Sequence, residues 1–173
     1  MKQKIITGIT LFLIASISGF LLEQVNGLTQ PVIIEAREER ILNAYGELFP
    51  AIDTFDVSEL DHEVLTSRVD VKDASGNVIG FIYEASKIND HGSIGLLIGI
   101  TPDGIVVDYV ELEFNQTPGI SAPARKGNYG STYINQPISR NFDDIDVQIG
   151  ATKSATTLLE LFSAVSEYHG GSL

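Results

Sequence analysis

Cysteine is absent from all 173 residues. That removes disulfides, iron–sulfur ligation, a catalytic thiol and a lipidated N-terminal cysteine together. Histidine is scarce, and His62, His91 and His169 lie far apart with no metal-ligand spacing between any two, so no metal site is expected and the default is a surface or loop histidine. Basic residues are also few: beyond Leu22 the chain carries 23 acids against nine bases, a formal charge of about −14. Such a balance excludes nucleic acid as a partner and argues against adhesion to anionic lipid. There is no internal repeat, no low-complexity tract and no nucleophile–base or acid–base set, so independent substrate turnover is not expected.

What the chain does have begins at its N-terminus. Lys2 and Lys4 precede an uncharged run from Ile5 to Leu22, and 18 residues at 1.5 Å each make roughly 27 Å of helix, just enough to cross a bilayer. A cleaved signal peptide needs a shorter apolar core with small residues at its end. Ala15 to Ser18 are small, but Phe20, Leu21 and Leu22 continue the apolar character, which favours a retained anchor in the lipid bilayer through residues 5–22. Lysines before the span and Glu23 after it put the N-terminus in the cytoplasm and the rest of the chain outside.

The domain order expected is 1–28 as cytoplasmic N-terminus and transmembrane anchor, 29–62 as stalk helix and connector, and 63–173 as one folded domain. Leu28 to Pro31 reads as a helix start with proline in the first turn. Ile34, Ile41, Leu42, Tyr45, Leu48 and Phe49 then recur at helical spacing, a stripe expected to dock on the sheet, until Pro50 ends it. Asp53 to Asp61 reads as a solvated connector. From Val64 the period shifts toward two: Leu65–Lys72 and Val78–Glu84 around a turn at Asp73–Asn77 form one hairpin, and Ile94–Ile100 and Ile105–Phe114 around Thr101–Gly104 form another. Gly80, Gly95 and Gly99 interrupt these strands as marks of bulges or sharp twist. After Thr152, Leu158, Leu161, Phe162 and Val165 give a final helix. The fold class is α+β: an N-terminal transmembrane helix, then one antiparallel-sheet domain with flanking helices.

Two short segments carry the chemistry. Asp146-Val147-Gln148-Ile149-Gly150-Ala151-Thr152 stands directly before the final helix, and Asn115-Gln116-Thr117-Pro118-Gly119-Ile120-Ser121 follows the second hairpin. Gly150 and Ala151 leave open space around the Thr152 hydroxyl, and a helix N-terminus with Lys153 beside it suits a phosphate. Taken alone, Thr152 reads equally as a plain N-cap, and Thr117-Pro118-Gly119 as a common turn. Between the segments lie Arg125, Lys126, Tyr129, Tyr133 and Arg140, the densest basic and aromatic stretch, which suits either a ligand with a phosphate and an aromatic ring or a solvated loop.

Joined to the N-terminal span and the strand pairing, these segments resemble the FMN-binding domain shared by the G subunit of the Rnf electron-transport complex and the C subunit of sodium-translocating NADH:quinone reductase. The resemblance covers nearly the whole chain in the family's order. It implies FMN bound by a phosphoester to Thr152, with Gly150, Ala151, Lys153, Thr117, Pro118 and Gly119 in the cofactor site. It implies that a flavin transferase recognises Asp146 together with Gly-Ala-Thr outside the cytoplasm, using FAD as donor. The partners implied are the other membrane subunits of an Rnf-type complex, in which the chain is an electron-transfer subunit. The chain departs from the family at Ile149, where Ser or Thr is usual, at Gln116, where Glu is usual, and at Ser121, where Gly is usual. A quinone-reductase C-type subunit or a free-standing extracellular flavin carrier fits the same domain, and an anchored, non-redox interaction domain is the reading in which Thr152 only caps a helix.

Overall fold

The computed structural model of the chain describes residues 2–140 and 151–171. It divides into two compact units, Met1–Ile41 and Leu42–Leu173. In the first, the residues from Lys2 on are helix, part of α1, which runs Lys2–Leu48. It contains an 18-residue apolar window, none of it buried, long and apolar enough to cross a membrane. The Thr7 and Thr10 hydroxyls donate to the carbonyls of Gln3 and Ile6 at 3.0 and 2.9 Å, which satisfies side-chain polar groups that lipid would leave without partners. The helix does not restart at Thr29–Pro31 as its sequence suggests, but passes through Pro31. Proline supplies no N–H to the carbonyl four residues back, while the Thr29 hydroxyl donates to the Val25 carbonyl at 3.0 Å in the preceding turn.

The second unit is built on a five-stranded meander in the order β1-β2-β3-β4-β5, antiparallel throughout. Its strands are β1 Thr54–Glu59, β2 Leu65–Lys72, β3 Val78–Asn89, β4 Gly92–Ile100 and β5 Val106–Phe114. The α+β expectation and both hairpins hold. The solvated connector expected over 53–61 is instead strand β1, exposed at all six positions. Its acids hid the short alternation of Phe55 and Val57 with polar residues, and an edge strand with little packed on it needs no longer apolar pattern.

Turn chemistry closes the first hairpin. The Asp73 carboxylate accepts the N–H groups of Ser75 and Asn77 at 2.8 and 2.9 Å, and Gly76 takes φ +81°, a conformation suited to glycine. The strand glycines have two uses. Register shifts lie beside Gly80, Gly95 and Gly99, and a Cβ at Gly80 would stand 2.3 Å from the Phe49 ring. The end of α1 therefore rests where the sheet has no side chain. Ala44, Tyr45, Leu48 and Phe49 are buried, whereas Ile34 and Leu42 of the same stripe are exposed.

The other helices follow β5. α2 is the single turn Pro118–Ser121, followed by 3-10 turns over Ala122–Ala124 and Tyr129–Tyr133, and α3 runs Thr152–Gly171. α3 presents Leu158, Leu161, Phe162 and Val165 to the sheet, all fully buried. At about 1.5–3 kcal/mol for each such side chain, this stripe fixes the helix on the sheet and sets where its first turn falls.

Candidate functional site

The site is assembled at the tip of the β3–β4 hairpin. Asn89 ends β3, and its Oδ1 accepts the His91 N–H at 2.8 Å to close the turn. Gly92 follows with φ +127°. A Cβ there would stand 1.8 Å from the Asn115 carbonyl oxygen, so only glycine lets the segment after β5 cross the hairpin tip. That crossing is held by Asn115 N–H to the Ser93 carbonyl at 2.9 Å and Asn115 Nδ2 to Ser93 Oγ at 3.0 Å.

With Asn115 in place, Gln116 turns inward and is 6% exposed. Its Nε2 donates to Asn89 Oδ1 at 2.9 Å, and its Oε1 accepts the Ser154 hydroxyl. Asn89 Nδ2 donates to Thr157 Oγ1 at 2.8 Å, and Thr157 Oγ1 donates to the Lys153 carbonyl at 3.0 Å. Ser154 and Thr157 are themselves buried. The hairpin tip, the loop after β5 and the first turns of α3 thus share one hydrogen-bonded cluster.

The two sequence segments meet through that cluster. Thr117 precedes α2, Pro118 is in its first turn, and the Thr117 carbonyl accepts both the N–H and the hydroxyl of Ser121, at 3.0 and 3.1 Å. The Thr-Pro-Gly segment is therefore the start of a one-turn helix, because proline is pre-set for a first helical turn. Thr117, Pro118 and Gly119 are exposed on the surface.

Thr152 is the first residue of α3 and is exposed. Ala151 precedes it, is 3% exposed and accepts the Ala155 N–H at 3.0 Å. Ala151 thus occupies the capping position, and Thr152 lies one residue inside the helix, exposed. A plain N-cap role does not account for it. Lys153 is exposed too, and its Nζ meets Asp90 Oδ2 at 2.8 Å. The hydrogen bond and charge of Asp90 raise the Lys153 pKa above its ordinary value, and the same contacts lower that of Asp90.

An open cleft of 490 Å³ runs along this edge, bounded by Lys87, Asn89 and Asp90 at the end of β3 and by Thr152, Lys153, Thr156, Thr157 and Glu160 of α3. Lys87 Nζ and Glu160 Oε2 close its far end at 3.2 Å. A smaller crevice on the opposite side of the turn is lined by His91, Gln116, Thr117, Ile120 and Ser154.

Asp146, Ile149 and Gly150 lie outside the described residues. The basic and aromatic stretch does not join the site. Arg125 Nε pairs with Glu111 at 2.8 Å, Lys126 with Asp108 at 2.8 Å, and Arg140 Nη1 with Gln136 Oε1 at 2.8 Å. Tyr129 and Tyr133 are buried, Tyr133 stacking on Phe162 with ring centroids 4.2 Å apart.

His169 departs from the surface or loop reading: it is 3% exposed, in the last turns of α3. Its Nδ1 is 2.9 Å from the Tyr83 hydroxyl. Burial, with Arg68 nearby as the smaller cause, lowers its pKa, and burial pushes the Tyr83 phenol up to about 12. Among the described residues no group of three or more His, Cys, Asp or Glu is placed to hold a metal ion.

Sequence reasoning overlooked Asn89, Asp90, Gly92 and Ser154. The signal available was Asn89-Asp90-His91-Gly92, a hairpin-turn sequence, but nothing local says that a loop 23 residues further on will land upon it.

No family model matches the chain. It is 24% identical over 171 residues to the G subunit of the ion-translocating oxidoreductase complex of Methanosarcina acetivorans, covering 92% of this chain and 91% of that one. It is 27% identical over 172 residues to the G subunit of the proton-translocating ferredoxin:NAD(+) oxidoreductase complex of Clostridium ljungdahlii, covering 90% and 88%. With the G subunit of the Na(+)-translocating ferredoxin:NAD(+) oxidoreductase complex of Acetobacterium woodii it shares 25% identity over 130 residues, 68% of this chain and 63% of that one. Along most of its length, therefore, the chain resembles the G subunits of ion-translocating oxidoreductase complexes.

Proposed function

We propose that the chain is a membrane-anchored electron-transfer subunit of an Rnf-type complex, carrying FMN as a phosphoester on Thr152. The observation that carries this reading is the exposed Thr152 at the first position of α3, a 20-residue helix, lining an open cleft. The residues fit the group. A helix N-terminus offers N–H groups and a positive dipole end to the ester phosphate. Lys153 lies next to it, able to exchange the Asp90 carboxylate for a phosphate oxygen. Ala151, Gly150 and the Thr117-Pro118-Gly119 segment complete the neighbourhood in this reading. Support for the role comes from the relatives, whose names place them in ion-translocating oxidoreductase complexes.

Attachment is a phosphoryl transfer that leaves the flavin's redox state unchanged. The Thr152 oxygen bonds to the FMN-side phosphorus of FAD, the diphosphate P–O bond breaks, AMP departs, and the hydroxyl proton is released to solvent. The reaction needs a separate flavin transferase, with Asp146 as part of the sequence it reads. Once bound, the flavin accepts and passes electrons. The chain's own residues would hold it within reach of neighbouring subunits and tune its potential. The helix of the first unit would span the bilayer, with Lys2 and Lys4 on the cytoplasmic side and the second unit outside.

Denaturing electrophoresis of the full chain co-expressed with a flavin transferase tests the reading. A flavin-fluorescent band that survives denaturation, with the matching mass on the peptide containing Thr152, is expected. A colourless band of unmodified mass would overturn it in favour of a non-redox anchored domain.

A further inference from the structure

We infer that Gln116, acting with Asn89, is a positioning residue for the acceptor threonine, and that it works only as an amide. The inference rests on the reading of Thr152 as the attachment point.

The argument starts from hydrogen-bond direction. The His91 N–H can only donate, so the Asn89 side chain must present Oδ1 to it. Asn89 Nδ2 then faces Thr157 Oγ1, whose own hydrogen goes to the Lys153 carbonyl, a group that can only accept. Asn89 Oδ1 receives its second hydrogen from Gln116 Nε2, which leaves Gln116 Oε1 as acceptor for Ser154. Both amide orientations follow from backbone groups at the two ends of the chain of bonds.

The consequence falls on α3. Ser154 and Thr157 are 4% and 3% exposed, so the cluster grips the first turns of the helix. Thr152, in the same turns, remains exposed in a cleft that Asn89 and Thr157 also line. Gln116, Ser154 and Thr157 are buried and Asn89 is half-buried; each has a partner, and removing one member leaves its buried neighbours unpaired. Leucine at 116 could neither donate nor accept. Glutamate could accept from Ser154 but would set a second carboxylate oxygen against Asn89 Oδ1, and Asn89 cannot turn over without losing the His91 N–H.

The test uses the full-length chain with a flavin transferase and FAD, comparing wild type, Q116L and Q116E. Initial rates of flavin incorporation are read by intact mass, and amide hydrogen exchange is read in the same proteins before flavin is added. Q116L is expected to load on the order of ten- to a hundredfold more slowly, with faster exchange at the amides of Ala155 to Leu158 and unchanged protection in β4. Q116E is expected to load as poorly near neutrality and to recover relative to wild type as pH falls, because a protonated carboxyl regains a hydrogen for Asn89. Loading of Q116L at the wild-type rate, or a Q116E deficit independent of pH, would overturn the role of Gln116. Should Q116L fail to fold, the Q116E pH profile decides alone. A wild-type chain that takes up no flavin would instead overturn the reading of Thr152 itself.

Discussion

The Ser154 hydroxyl donates to the side-chain oxygen of Gln116, 38 residues earlier in the chain, and both side chains are buried. Through that bond the first turn of α3 is tied to the loop after β5, and through Gln116 to the tip of the β3–β4 hairpin. Three segments remote in sequence thereby define where the exposed Thr152 stands.

Thr152→Ala is expected to abolish covalent flavin in cells containing the transferase while leaving the fold intact. Because Ala151, not Thr152, occupies the capping position, stability should change by no more than about 0.5 kcal/mol, the usual range for a surface site. Intact-protein mass spectrometry and thermal denaturation check the two halves. Persistence of the flavin mass would point to Thr156, since Ser154 and Thr157 are buried.

Gly92→Ala should be far more damaging than its size suggests. The new Cβ meets the Asn115 carbonyl oxygen at 1.8 Å, and φ is +127°. Strain at such a backbone position costs about 1–3 kcal/mol before the clash is counted. A lower melting temperature with reduced flavin loading is expected. Gly76→Ala is the control: its φ is +81° but nothing lies within 4 Å of the added carbon, so it should lose stability without losing loading in the protein that remains folded.

His169 should give the second unit a pH-sensitive stability. Its folded-state pKa lies below the ordinary imidazole value of 6.5, so the unfolded chain binds the proton first. The contribution is present above about pH 6.5 and is lost as pH falls through that value toward the depressed folded pKa. The imidazolium carries an N–H on both ring nitrogens, and Nε2 has no partner among the described residues, with Arg68 also opposing the charge. The rings packed against it are Phe81 and Tyr83. Denaturant titrations across this window should show the loss in wild type and its flattening in His169→Gln. A wild-type stability that rises on acidification there would contradict the assignment.

Topology follows from Lys2 and Lys4. A reporter fused after Leu173 should be active only if it functions on the outer side of the membrane, and replacing both lysines with Glu should weaken that orientation. Strong cytoplasmic activity of the fusion would contradict both the orientation and the place of flavin attachment.

The α+β class, both hairpins, the membrane-length helix and the last helix were legible locally, because each rests on a period or a turn chemistry carried by neighbouring residues. Leu158, Leu161, Phe162 and Val165 announce a buried helical face whatever lies beneath them. The same logic misread β1, an exposed edge strand whose apolar alternation is confined to Phe55 and Val57 among acids. It also placed His169 at the surface, since a single histidine gives no sign of which helix face it will occupy.

The candidate site divides the same way. Gly-Ala-Thr before a helix made Thr152 visible from sequence alone, since a hydroxyl beside small residues at a helix start is a local property. That Thr152 faces solvent while Ser154 faces Gln116 was decided by the sheet, which fixes the rotation of α3 through its apolar stripe. The pairing of Gln116 with Asn89 was decided by Gly92, whose missing side chain lets Asn115 cross the hairpin tip. Directional hydrogen bonds between segments distant in sequence exist only once packing has brought their donors and acceptors within about 3 Å of one another, and no local pattern encodes them.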